Sequence, residues 1–296
     1  RDNERTCCPI FDMSSKKAPR ILSIQSHVVY GYVGNKSATF PLQLLGFEVD
    51  AINSVQLSNH TGYKVFKGQV LNDRDLAQND LDNYTHLLTG YVGSASFLKR
   101  IAGVVRALKD KNPDLVYVCD PVMGDNGVMY VPDSLKEIYM NEIVPLADIL
   151  TPNQFELELL TGIKIDTMSE LQNAVKELHK AGPRTVAVSS TEIDNNLTAI
   201  VNNTLIKINI PKLPATFTGS GDLFAALFLA HTYLQDNIKD ALEKTVNSLH
   251  MVLRKTYEHS QGNEESQPAK RIELRLIHSK NYIENPEMHL HAEPLV

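Results

Sequence analysis

Three short stretches of this chain combine carboxylates, hydroxyls and glycines at spacings that suit the handling of a phosphoryl group. The first is Thr218-Gly219-Ser220-Gly221-Asp222, which opens the strongly apolar run 223–230. Glycines let successive backbone N–H groups approach one point, and the positive end of the helix that follows favours negative charge there. A carboxylate at Asp222 then faces an attacking alcohol and takes its proton, while Gly219, Ser220 and Gly221 stabilise the charge in transfer. The same residues also make sense as a glycine-rich turn in which Asp222 merely caps the helix. The second stretch, Asp120-Pro121-Val122-Met123-Gly124-Asp125, directly follows the apolar run 115–119. Two carboxylates at the carboxyl end of a strand invite a hard cation such as Mg²⁺, although Asp120 before proline and Asp125 before Asn126-Gly127 also read as turn formers. The third is Thr151-Pro152-Asn153-Gln154-Phe155-Glu156, where Asn153 and Glu156 fall within one turn. Their spacing matches a helix capping box, a use compatible with a place in a site.

Such residues need a frame, and short β-rich runs alternating with longer amphipathic ones predict parallel strands joined by helical crossovers, an α/β fold. Strands are expected over 20–24, 48–53, 86–89, 115–119, 148–150 and 185–188. Helices are expected over 36–45, 73–83, 94–111, 133–142, 154–160, 169–180, 222–234 and 238–258, several closed by a glycine. The runs 197–202 and 204–210 around Asn202-Asn203 predict an antiparallel hairpin added to the sheet. The polar stretch 260–270 reads as a loop before a last strand at 271–277. The patterned chain begins near Arg20. Residues 1–19 are expected to be a disordered extension or a fragment end, with Met13 a natural start, and 20–296 a single domain.

Composition narrows the partners. A net charge of −6 and a pI near 5.9 argue against nucleic acid, whose phosphates demand a basic face. No apolar run reaches the roughly 18 residues of a membrane span. The three cysteines, Cys7, Cys8 and Cys119, make no disulfide framework, which fits a cytoplasmic, reducing setting.

The three motifs, in this order, resemble those of the ribokinase-like superfamily. There G-[T/S]-G-D forms an anion hole and a catalytic base, and N-x-x-E positions water, metal and phosphate; here Ser220 stands where Thr is commoner. The superfamily implies a three-layer sandwich with a mostly parallel central sheet. Further segments resemble the pyridoxal kinases within it: Ser23-Ile24-Gln25-Ser26-His27-Val28, Gly31-Tyr32-Val33-Gly34-Asn35, Ser58-Asn59-His60-Thr61-Gly62-Tyr63 and Leu88-Thr89-Gly90-Tyr91. This resemblance runs from about Arg20 to the C-terminus. It implies ATP-dependent phosphorylation of the 5′-hydroxymethyl group of pyridoxal, pyridoxine and pyridoxamine, with Asp222 as base.

Residue by residue, the resemblance implies that Ser26 and Thr61 hydrogen-bond the pyridine substituents with Tyr91 nearby. Val28 and Val55 either wall that pocket or simply pack in the core, and the role of His60 stays open. On the nucleotide side it implies Asp120, Asn153, Ser189, Ser190 and Ser220 for the phosphates and Leu213, Pro214 and Ala215 for the nucleoside. Leu249 and Leu253 face the adenine or form a plain buried stripe. A divalent ion, Mg²⁺, falls to Asp120 and Asp125, and a monovalent ion, K⁺ or Na⁺, to Asp120, Thr151, Glu156 and Ser189, the last being Thr in relatives. A homodimer is implied in the same way. The loop after Asp125 and the hairpin 192–213 are shorter than in vertebrate-like relatives, with Lys207 and Lys212 the positive charges left near the nucleotide. The alternatives are a hydroxymethylpyrimidine or sugar kinase on the same scaffold, or a non-catalytic B6-binding protein.

Overall fold

In the computed structural model, which describes residues 19–71, 83–201, 206–262 and 268–295, the alternating pattern becomes a ten-stranded sheet covered on both faces. The chain opens with β1 (Arg20–Val28), α1 (Asn35–Leu44), β2 (Glu48–Leu57), β3 (Gly68–Val70), β4 (His86–Thr89), α2 (Ala95–Lys111) and β5 (Val116–Cys119). A small hairpin, β6 (Gly124–Asp125) and β7 (Val128–Met129), leads to α3 (Ser134–Ile138), β8 (Ile149–Leu150), α4 (Gln154–Thr161) and α5 (Met168–Ala181). Then come β9 (Thr185–Ile193), β10 (Asn196–Val201), β11 (Ile206–Asn209), α6 (Ser220–Leu234), α7 (Ile238–Gln261), α8 (Pro268–Arg271), α9 (Lys280–Glu284) and β12 (Glu293–Pro294).

The strand order is β12-β11-β10-β9-β8-β5-β4-β1-β2-β3, parallel from β2 through β9 and antiparallel at both margins. Strands at the centre of a parallel sheet are buried on both faces, which is why β4 (HLLT) is apolar or closed to water throughout. Successive side chains point to opposite faces. Leu22, Leu87 and Tyr117 therefore join one core with α2 and α5, while Ile21, Leu88 and Val118 join the other with α1, α6 and α7. Because β1 lies between β2 and β4, the chain reverses direction across the sheet there, and a crevice opens at the carboxyl ends of those strands.

α6 is apolar all round, since every residue from Leu223 to His231 is buried. Such a helix must lie inside the molecule. It packs between the sheet, α1 and α7, with the Phe224 and Phe228 rings stacked at 5.7 Å. That fixes the helix start, and the glycine turn before it, relative to the sheet.

Several expectations change. Residues 271–277 form no strand: Leu274 and Leu276 alternate inward, but onto the helical layer, and the Arg275 N–H goes to Thr256 Oγ1 on α7 at 3.0 Å. An alternating pattern reports one buried side, whatever buries it. β9 runs on past Val188 to Ile193 and turns at Asp194 and Asn195, both with positive φ, as a two-residue hairpin requires. The helix expected over 133–142 is α3 followed by a π turn, 139–143, and a 3₁₀ turn, 144–146, because Pro145 cannot continue an α-helix. α7 extends to Gln261, into the stretch expected as loop. The helix at 73–83 (but for Asn83), the turn at Asn202-Asn203, residues 263–267 of the expected loop and the leader 1–18 lie outside the described residues.

Phe228 is fully buried, so Phe228→Ala removes a stacked ring from a packed layer. We expect a loss of about 3–5 kcal/mol in urea-induced unfolding; a loss under about 1 kcal/mol would show that α6 is not held as described.

Candidate active site

The turn before α6 is shaped by close approach. Gly219 caps the helix at φ 87°, and a Cβ there would collide with the Tyr32 carbonyl oxygen, so only glycine fits. Ser37 Oγ donates to the Gly219 carbonyl at 3.1 Å. With Gly219 as the cap, Asp222 stands in the first turn rather than capping it. Its carboxyl group is half-buried and accepts the Gly34 N–H; burial pushes its pKa above the usual carboxylate range, and that hydrogen bond offsets only part. Gly34 itself, at φ 52°, presses against Ser26.

Asp120 leaves the end of β5 with its N–H on the Thr89 carbonyl, 2.9 Å, and its side chain 5% exposed. Burial raises its pKa well above the ordinary value, the negative charges of Glu156 and Asp222 add to this, and the neighbouring Thr151 hydroxyl offsets a little. Asp120 Oδ2 and Thr151 Oγ1 are both buried without a hydrogen-bond partner. A Cβ on Gly221 would sit 3.9 Å from that Asp120 oxygen, which places the carboxylate beside the anion turn.

The capping box forms in full. Asn153 Oδ1 accepts the Glu156 N–H at 2.9 Å, and Glu156 Oε2 accepts the Asn153 N–H at 3.0 Å. Glu156 Oε1 also accepts the Met123 N–H at 3.0 Å, while Asn153 Nδ2 donates to the Gly124 carbonyl at 2.8 Å. The second and third motifs are thus one hydrogen-bonded unit. Burial nevertheless lifts the Glu156 pKa to about 8 against these backbone donors. Asp125, half-buried on the β6–β7 hairpin, is raised by burial too, with its oxygens tied to Asn126.

Irregularities in the ladders re-aim the remaining residues. On β9, Ser189 and Ser190 face the single residue Ala199 of β10, and Ser26 on β1 faces Ser54 and Val55 of β2. Bulges of this kind are common beside active sites; the extra residue is on β9 in the first, turning a serine away from its ladder, and on β2 opposite Ser26 in the second. Gln154 holds the first bulge, accepting from Thr191 Oγ1 at 2.8 Å and the Glu192 N–H at 2.9 Å.

A cleft of about 800 Å³ runs from this point outward. Asn153, Ser189, Ser190, Ser220 and Gly221 form its inner end, and Leu213, Ala215, Leu249 and Leu253 its apolar walls. Leu249 and Leu253 belong to the core as well, so the two readings of that pair coexist. Pro214 does not line it: the Ala215 N–H bonds back to the Leu213 carbonyl at 2.8 Å, which turns Pro214 to solvent. Lys207 and Lys212 are engaged by Glu293 at 3.2 Å and Glu192 at 2.6 Å. Ser26, Thr61 and Tyr91 lie outside this cleft, near the carboxyl ends of β1, β2 and β4. Ser26 is buried beside Gly34, Thr61 is exposed on the loop after β2, and Tyr91 packs against the core with its carbonyl on Ser54 Oγ at 2.6 Å. Val28 and Val55 are buried at 1% and 2%, and His60 is no exposed loop residue but 6% exposed.

Residues 80–267 match the model of the phosphomethylpyrimidine kinase family. The chain is 49% identical over 290 residues to the pyridoxal kinase of Arabidopsis thaliana, covering 93% of this chain and 94% of that one. It is 46% identical to the pyridoxal kinase of Homo sapiens, over 93% and 98% of the two chains. The structure of Leishmania donovani pyridoxal kinase in complex with ADP and pyridoxamine superimposes with a TM-score of 0.84 at 32% identity, covering 94% of this chain and 99% of that chain. The chain belongs to the pyridoxal kinase family. Its fold is the ribokinase-like, mostly parallel sheet with an antiparallel margin.

For this pyridoxal kinase family member, sequence reasoning passed over Gln154, which sits inside a motif that it did quote, and Glu273, which lies in the stretch expected to be a strand. Gln154 next to Asn153 was legible only as filler. No local pattern signals that Glu273 turns toward residues so distant in the chain.

The raised Glu156 pKa has a consequence for stability. Between about 4.5 and about 8 the folded state keeps a proton on Glu156 that the unfolded chain has lost, so stability falls as pH rises. His86 and His231, buried and pushed down to about 4, stay neutral in the fold throughout the upper part of this window. Raising the pH of the ligand-free protein from about 7 to about 8 should therefore lower its unfolding free energy in urea titration, by up to about 1.4 kcal/mol per pH unit for this group. Glu156→Gln should flatten that slope whatever it does to absolute stability; an equal slope in both proteins would refute the assignment.

Proposed function

We propose that this pyridoxal kinase family member transfers the γ-phosphoryl group of ATP to the 5′-hydroxymethyl group of pyridoxal, and likewise of pyridoxine and pyridoxamine, in vitamin B6 salvage. The observation that carries the reading is the position of Asp222. It lies at the glycine turn where the nucleotide cleft meets the Ser26 side of the sheet, its carboxylate anchored by the Gly34 N–H.

The alcohol lies over Ser26, with Thr61 and Tyr91 contacting the pyridine ring, and Asp222 takes the hydroxyl proton as the oxygen attacks the γ-phosphorus, whose bond to the β–γ bridging oxygen breaks to release ADP. A carboxylate held above its usual pKa is the better base for this, since proton affinity is matched more closely to the alcohol in the transition state. The backbone N–H groups of 219–221, at the positive end of α6, stabilise the charge on the moving phosphoryl oxygens without reorganising. Ser189, Ser190 and Asn153 hold the nucleotide phosphates, and Leu213, Leu249 and Leu253 flank the base.

Oxygen donors without partners, Asp120 Oδ2 and Thr151 Oγ1, fit a hard cation, as does the surplus of buried carboxylates around them. Among the described residues no three acidic, histidine or cysteine side chains lie close enough to form a metal cage, which suits an ion held largely by the nucleotide's own phosphates. Mg²⁺ there neutralises phosphate charge. Asp120 and Asp125 would hold it, and Thr151, Glu156, Asp120 and Ser189 would hold K⁺ or Na⁺. A second copy of the chain is the proposed partner. No helix among the described residues is long and apolar enough to cross a membrane, and a cytoplasmic location is the corresponding proposal.

The phosphomethylpyrimidine description of the matching family model favours one second reading, a hydroxymethylpyrimidine kinase. Side-by-side turnover of pyridoxal and hydroxymethylpyrimidine with ATP separates them. Asp222→Asn should lower kcat for pyridoxal by on the order of 10²-fold or more, with nucleotide affinity by calorimetry nearly unchanged. Undiminished turnover would remove Asp222 from the mechanism.

A further inference from the structure

Glu273 comes from the stretch that crosses α7, yet its side chain reaches two loops 241 and 210 residues earlier in the chain. One carboxylate oxygen lies 3.0 Å from His60 Nε2 and accepts the Tyr63 hydroxyl at 2.9 Å; the other accepts the Tyr32 backbone N–H at 3.1 Å. His60 Nδ1 accepts the Gly62 N–H at 3.1 Å, so the ring proton sits on Nε2, the nitrogen next to Glu273. The clasp is mostly buried, with the His60 and Glu273 side chains 7% and 12% exposed. Gly31, at φ 95°, leaves the room it needs, since a Cβ there would overlap the carboxylate.

The two loops flank the anion turn. The Tyr32 peptide gives its N–H to Glu273 and its carbonyl to the close contact with Gly219, and Gly34 follows with the donor for Asp222. On the other loop Gly62 faces Thr218 Oγ1, and Thr61 stands between His60 and Gly62. The base of this second loop is closed independently, Ser58 N–H to Lys67 carbonyl at 2.7 Å, so the clasp governs where residues 60–63 lie rather than whether the loop exists. Only a carboxylate suits the place. Two hydrogen-bond donors and the His60 ring nitrogen converge on its two oxygens, and an amide would turn its own N–H against one of them.

We infer that Glu273 is a positioning residue for the alcohol substrate: it fixes the 60–63 segment against the anion turn so that Thr61 meets the pyridine ring, without itself touching substrate or nucleotide. This rests on the pyridoxal kinase reading above. Neither Glu273, His60 nor Tyr63 lines the nucleotide cleft, so the KM for ATP is an internal control.

Glu273→Gln and Glu273→Ala are compared with wild type for the KM of pyridoxal and of ATP, the urea midpoint, and tryptic cutting after the exposed Lys64 and Lys67. We expect the pyridoxal KM to rise about tenfold, as for loss of a hydrogen bond to a charged group, with the ATP KM within about twofold. Cutting at Lys64 and Lys67 should quicken several-fold at a near wild-type urea midpoint. An unchanged pyridoxal KM with unchanged cutting overturns the inference. So does a parallel rise of both KM values with a lowered midpoint, the mark of a merely structural residue. Should neither variant fold, Tyr63→Phe removes one hydroxyl of the clasp and must show the same split in smaller measure. If the wild type fails to phosphorylate pyridoxal, the functional reading falls; the tryptic comparison needs no substrate and still decides for or against the clasp.

Discussion

Three carboxyl groups, Asp120, Glu156 and Asp222, gather around the amino end of one buried helix, and the rest of the architecture serves to hold them there. Burial raises all three pKa values, and the charges of Glu156 and Asp222 raise that of Asp120 further, a cost that the fold accepts at this place. The backbone offsets part of it, through the Met123 and Asn153 N–H groups on Glu156 and the Gly34 N–H on Asp222. What remains uncompensated is a demand for positive charge. In the proposed reaction the cation that comes with the nucleotide answers that demand, and the carboxylates that are awkward in the empty protein become appropriate once it arrives.

Holding such a cluster requires rigidity from independent directions. α6 supplies one, since its fully buried length fixes the glycine turn as firmly as a core residue. The parallel strands supply another by delivering Thr89, Asp120 and Thr151 to one edge, each backbone bonded to the next: Asp120 N–H to the Thr89 carbonyl, Thr151 N–H to the Cys119 carbonyl. The ladders then break where a side chain has to leave the plane, at Ser26 and at Ser189-Ser190. Regular strands place the charged residues, and irregular ones aim the hydroxyls.

Most of the frame was legible because it is written in local pattern. Apolar runs such as 115–119, the capping spacing of Asn153 and Glu156, and the glycines that end α4 and α5 each state their own structure. The three motifs were legible for the same reason. Illegible were features that depend on a distant partner. The alternation at 271–277 reported correctly that one side is buried, but nothing in it distinguishes a sheet neighbour from the helices that Leu274 and Leu276 meet. Pro214 lost its place in the cleft wall through a single backbone bond two residues wide. His60, alone in a loop sequence, gives no sign that a glutamate near the end of the chain buries it.

The nucleotide and alcohol halves of the proposed site are consequently built on different terms. The nucleotide half is a wide cleft with apolar walls, drawn from α6, α7 and the β9–β11 margin, and its shape follows from core packing that would exist without a ligand. The alcohol half is assembled from loops, the 31–34 turn and the 58–67 loop, whose own hydrophobic contacts are few and whose tip stands in solvent. Loops order only when specific bonds outweigh the entropy of fixing them. Hydrogen bonds to a buried carboxylate meet that requirement with little surface, and they leave the loop free to respond when one partner is lost. On the proposed function, discrimination between alcohols therefore falls to the half of the site held by the fewest interactions, while phosphoryl chemistry falls to the half embedded in the core.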